Sequence, residues 1–81
     1  EKNGRLSLRI DPKEAWALRH PEAFPVNVNR ASRFALLRVP GLGPVTVRQI
    51  LERRKQRLLR CIEDVGKVGV RLNKARQYVR F

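Results

Sequence analysis

Apolar residues fall in short clusters along the chain, each cut off by proline or glycine. The stretch DPKEAWALRH predicts a helix whose buried side is Ala15, Trp16 and Leu18. Asp11 is a good N-cap, Pro12 suits a first turn that needs no N–H, and Glu14 completes a capping-box-like spacing. Pro21 stops this helix. HPEAFPVNV carries two prolines and reads as extended connector. Ahead of all this, the alternation in RLSLRI permits a short strand, although an ordered lead-in is the preferred reading.

From Asn29 the pattern sharpens. Asn29 or Ser32 can cap a helix carrying Phe34, Leu36, Leu37 and Val39, which Pro40 ends. PGLGP makes a turn. A second helix is predicted from about Pro44 to Gln56. Val47, Ile50 and Leu51 form one side, and Arg48, Glu52, Arg53, Arg54 and Lys55 the other. Leu58, Leu59 and Ile62 should return to the core. EDVGKVGVRLN reads as a short helical turn, a glycine-containing bend and the start of a last helix. That helix begins near Leu72 and spaces Leu72, Ala75 and Val79 at three and then four residues. The plan is all-α: helix, turn, helix, twice over, with a leading helix docked alongside. VPGLGPVTVRQIL against VGKVGVRLNKARQYV is a weak internal repeat whose second copy is degenerate. The divisions expected are a lead-in over 1–10, a helix and connector over 11–28, and the main unit over 29–81.

Charge changes the picture. The 81 residues include 19 Lys and Arg against 7 Asp and Glu, a formal net charge of +12. So much positive charge on one small domain implies a polyanionic partner, nucleic acid first, with an acidic membrane face or an acidic protein behind it. The single cysteine, Cys61, excludes an internal disulfide and a self-contained thiolate zinc site, and it fits a reducing cytoplasmic setting. No apolar run approaches the ~18 residues of a spanning helix, so no membrane role is expected. The chain opens on EKNGRLSLRI without an initiator Met and reads as part of something longer. There is no Ser–His–Asp set, no metal-ligand cluster and no carboxylate pair placed for acid–base work. The chain alone is not expected to be an enzyme.

The uncharged turn VPGLGPVTV is then the informative stretch. Gly41 and Gly43 lack Cβ atoms, so the backbone can turn tightly there and a phosphate can approach closely. The amides that follow open a helix and have no internal partner, which makes an anion site reinforced by the helix dipole. Leu42, between the glycines, should point inward and anchor the turn. The turn needs no charged side chains of its own; they need only frame it.

LLRVPGLGPVTVRQIL resembles a helix-hairpin-helix motif, and the preceding NVNRAS resembles the lead-in to tandem helix-hairpin-helix domains of competence DNA receptors. With DPKEAWALRHPEAFPVNVNRAS before it and GVRLNKARQYV after it, the chain over roughly 9–80 resembles the C-terminal region of bacterial radical S-adenosylmethionine iron–sulfur proteins described as putative DNA modification or repair proteins. The resemblance implies a tandem helix-hairpin-helix fold that binds the DNA backbone without reading sequence. It implies that the amides of Gly41, Gly43 and Thr46 hold phosphate with Arg48 beside them. It also implies that the carbonyls of Leu37, Val39 and Leu42 occupy positions that hold a monovalent cation in some such proteins. The 4Fe–4S cluster and S-adenosylmethionine would belong to an upstream catalytic domain, since this chain has no three-cysteine motif. Two positions depart from the family pattern. Val47 replaces a small Ala, which would set the helices farther apart. Val45 stands where Lys is common, which removes a phosphate contact that Arg48 could replace.

In the second copy, Gly66 and Gly69 bracket Lys67 and Val68, and Gly69 is the match for the second glycine of the turn. Lys67, Arg71 and Lys74 are possible secondary DNA contacts in a unit expected to be structural first. Trp16 and Phe34 read as core, Tyr78 as core or rim, Cys61 as a buried thiol, and Glu63 and Asp64 as caps for a short helix. His20 suits a helix C-terminus, and the run ERRKQR can equally be a solvated face. Two other functions stay open: docking onto a protein, including the chain's own upstream catalytic domain through the Trp16 arm, and binding structured RNA.

Overall fold

Asp11 starts the first helix as the sequence predicts. In the computed structural model, which describes residues 11–81, its carboxylate accepts the Lys13 amide at 2.8 Å and Pro12 opens α1 (Pro12–Arg19). The lead-in over residues 1–10 lies outside the described residues. The inward side of α1 is not the predicted one. Ala17 is buried, Ala15 and Trp16 are half-buried, and Leu18 is 75% exposed. Lys13 and Ala17, four residues apart and so on one helix face, turn toward the body of the protein.

The connector makes a 3-10 turn at Pro21–Ala23 and then a short strand, β1 (Val26–Asn27). Ser32 caps α2 (Arg33–Leu37), its hydroxyl accepting the Ala35 amide at 3.1 Å. Asn29 does something else. Its side-chain amide donates to the Leu59 carbonyl at 2.8 Å and accepts from the Leu59 amide at 2.9 Å. The NVNRAS segment is thereby clamped to the chain that follows α3 (Pro44–Gln56). Arg54, predicted on the solvated face of α3, folds back instead. It donates to the carbonyls of Val28 at 3.1 Å and Ala31 at 2.7 Å.

Past α3 the backbone is extended, so side chains alternate in and out. Leu59 is buried and Leu58 is 64% exposed, against the expectation that both return to the core. Cys61 is exposed, not buried. Ile62–Asp64 form a 3-10 turn, and α4 spans Val70–Ala75. It begins two residues before Leu72 and does not reach Val79. A 3-10 turn at Arg76–Tyr78 leads into β2 (Val79–Arg80), which pairs parallel with β1, Val26 beside Val79. The Phe24–Tyr78 edge contact (5.4 Å between centroids) and the Val28 amide on the Arg80 carbonyl (2.9 Å) reward this ending over another helical turn.

The fold is mostly helical around one core. Val28, Leu36, Val39, Leu42, Val47, Ile50, Leu59, Ile62 and Val65 are fully enclosed. Burying each contributes about 1.5–3 kcal/mol, but an 81-residue chain has few such positions, so polar ties such as Asn29 to Leu59 carry weight. Val47 sits inside this core, and so does Leu42, as predicted for the residue between the glycines. Phe34 does not: it lies on the outer side of the short α2, 74% exposed.

The internal repeat has a structural counterpart. The Val39 amide bonds the Leu36 carbonyl and the Val65 amide the Ile62 carbonyl, at equivalent places in the two copies. Gly43 and Gly69 both stand at the N-cap of a helix in extended backbone, with no side-chain cap. The 3-10 turn Ile62–Asp64 precedes Gly69 where α2 precedes Gly43.

Candidate nucleic-acid interface

The two glycines of the first turn have different jobs. Gly41 has φ +95°, in the region that favours glycine. A Cβ built there would lie 2.2 Å from the Arg71 carbonyl oxygen and 2.9 Å from the Ala75 amide nitrogen. The close backbone approach at Gly41 is therefore to α4.

Gly43 is the open one. Its φ is −95°, and a Cβ built on it meets nothing within 4 Å. It caps the 13-residue α3, whose first intrahelical bond runs from the Val47 amide to the Gly43 carbonyl at 2.9 Å. The amides of Val45 and Thr46, ahead of that bond, have no partner within the helix. Pro44 has no N–H to offer. Val45 and Thr46 line a cleft of about 450 Å³ between the two turns, together with Gly43, Lys67, Gly69 and Arg71 among others. Of the predicted site residues, Gly41, Gly43, Thr46, Lys67 and Arg71 thus share one hollow. Val45, where a lysine was missed, is exposed on its wall.

Arg48 is not brought to this cleft. It lines a separate depression with Arg33, Arg54 and Lys55, which meets the first only at Pro44. The helical period explains this, since Arg48 lies about 200° around α3 from Thr46. Lys74 is half-buried and paired with Glu14 at 3.2 Å.

A lysine that the sequence reading did not single out reaches the turn. Lys13 donates its ammonium to the Leu42 carbonyl. Partial burial pushes its pKa down, Asp11 acts against that, and Arg71 adds to it. The Val39 carbonyl accepts the Leu42 amide at 3.1 Å. Two of the three carbonyls suggested for a monovalent cation are thus already engaged, one by a fixed ammonium. The set does not fit an added ion as it stands. Among the described residues no group of three or more His, Cys, Asp and Glu could hold a metal.

Trp16 is packed as structure. His20 stacks at 4.3 Å, Phe24 meets it edge-on at 5.9 Å, and the Arg38 guanidinium lies 4.8 Å from its ring centre. Glu63 and Asp64 lie inside the 3-10 turn and do not cap a following helix. Asp64 accepts the Arg60 amide at 2.8 Å, and Glu63 pairs with Arg76 at 3.3 Å. Both carboxyls are held below their ordinary range. For Glu63 the main cause is a backbone amide, then Arg76; for Asp64 it is the Arg60 amide.

No protein-family model, curated protein or solved structure compared with this chain matches it. Among the described residues no helix is long and apolar enough to cross a membrane.

Proposed function

We propose that this chain is a tandem helix-hairpin-helix domain that binds the phosphate backbone of DNA without reading sequence. The observation that carries the reading is the open, uncapped start of α3 at Gly43, facing a cleft that Lys67 and Arg71 border. A phosphate oxygen placed there would accept from the Val45 and Thr46 amides and gain from the helix dipole. The net charge of +12 supplies the long-range attraction. Phosphate contacts fix position, not sequence. On this reading the domain is an accessory module, delivering an upstream radical S-adenosylmethionine iron–sulfur domain to DNA. Such chemistry would belong wholly to that domain.

The test is a binding titration with labelled duplex DNA across a salt series, beside an RNA duplex of equal length. Affinity for DNA should fall with a log–log slope of about −0.9 for each phosphate neutralised. Preference for RNA at every salt concentration would overturn the reading in favour of RNA. Salt-indifferent or absent binding would overturn it in favour of protein docking.

A further inference from the structure

We infer that Lys13 and Arg71 form a second phosphate subsite, beside the one at Gly43. This deepens the proposed DNA-backbone reading and rests on it. A hollow of about 290 Å³ opens between α1, the first turn and α4, lined by Asp11, Lys13, Leu42, Gly43, Arg71 and Lys74. Gly43 and Arg71 also line the larger cleft, so the two hollows adjoin.

The charges in this hollow are arranged for an anion. A lysine ordinarily extends its ammonium into water. Lys13 instead is half-buried, tied across to the Leu42 carbonyl from a helix far away in sequence. An ammonium has three donors, and Leu42 takes one. The other two have no hydrogen-bond acceptor among the described residues. Arg71, which lines the same hollow, has neither an ion pair nor a side-chain hydrogen bond among them. Two carboxylates offset part of this charge. Asp11 caps α1 through the Lys13 amide, and Glu14 holds Lys74. Two like charges held together at a turn, with spare donors and a space between elements, are stabilised by an anion that accepts from both. A phosphodiester does so, as its unesterified oxygens are acceptors only. Its neighbour on the same strand would lie at Gly43.

The test uses the whole chain with Lys13→Met, Lys13→Arg and Arg71→Gln, titrated with the same duplex over the same salt series. Thermal unfolding of each variant is recorded alongside. Lys13→Met and Arg71→Gln should each bind several-fold more weakly at low salt and reduce the slope by about 0.9. Lys13→Arg should keep the wild-type slope. Wild-type slopes in both charge-removing variants would overturn the subsite while leaving the Gly43 reading intact. Should Lys13→Met fail to fold, Arg71→Gln decides, because its side chain holds nothing else together. If the wild type binds no DNA, the functional reading falls. The subsite is then judged on inorganic phosphate, followed by NMR at the Lys13 ε-methylene. A shift absent in chloride of equal ionic strength supports it, and no shift overturns it.

Discussion

A β-carbon on Gly41 would stand 2.2 Å from the carbonyl oxygen of Arg71. The first turn and α4 are thus pressed together at the one position where the backbone also has φ +95°. Replacing Gly41 by Ala adds left-handed strain of about 1–3 kcal/mol and forces backbone against backbone. Gly41→Ala should lose about 3 kcal/mol or more in denaturant unfolding, and the midpoint temperature should fall by at least ~10 °C. A change within 2 °C would show that α4 does not sit against the turn.

Asn29 acts as an amide clamp on Leu59, meeting both backbone groups. Asn29→Ala leaves a donor and an acceptor without partners, and should cost about 2–3 kcal/mol. Asn29→Asp is the sharper probe. Its ionised carboxylate can still accept the Leu59 amide, but it faces the Leu59 carbonyl without a donor. Stability of Asn29→Asp should therefore improve as pH falls and the carboxyl gains a proton. If Asn29→Ala and wild type unfold together, the clamp has no energetic role.

These two relationships show why the sequence was informative in some places and silent in others. The start of α1 at Asp11, the Ser32 cap, the PGLGP turn and the span of α3 depend on neighbours within four residues, and they were legible. The inward side of α1 depends on Lys13 meeting Leu42, which no local pattern encodes. Phe34 was placed in the core on hydrophobicity alone, yet the five-residue α2 has room to bury only one side. Leu58 and Leu59 are both expected in the core as apolar residues, whereas an extended backbone after Gln56 puts them on opposite sides. The last helix was carried through Val79 by its spacing. Pairing with Val26, distant in sequence, overrides that spacing. In the candidate site, the open helix start was readable from the glycines and proline. The close approach of α4 to Gly41 was not.

Acid should weaken the segment after α3. The Asp64 carboxyl is held low chiefly by the Arg60 amide, and Glu63 chiefly by a backbone amide and Arg76. A folded pKa below the unfolded one means the unfolded chain binds more protons as pH falls. Their contribution is full above the ordinary carboxylate range and is lost as pH drops through the lowered folded values. Urea midpoints measured from pH 7 downward should decline there. Asp64→Asn should decline less steeply. Because Glu63 is exposed and Asp64 only half-buried, the effect is small and shrinks with added salt. An identical pH profile in Asp64→Asn would contradict the assignment.

The most direct test of the account is Gly43→Val beside wild type in a fluorescence anisotropy titration with labelled duplex DNA. The backbone at Gly43 suits any residue and a Cβ there meets nothing within 4 Å. The variant should therefore fold with its charge unchanged, while its side chain covers the amides of Val45 and Thr46. The account predicts a loss of tenfold or more in affinity at moderate salt in a variant that still unfolds cooperatively, its midpoint lowered by about 4–8 °C because valine is a poorer N-cap than glycine. Equal affinity in a folded Gly43→Val would contradict it, and would leave the net charge alone as the source of binding.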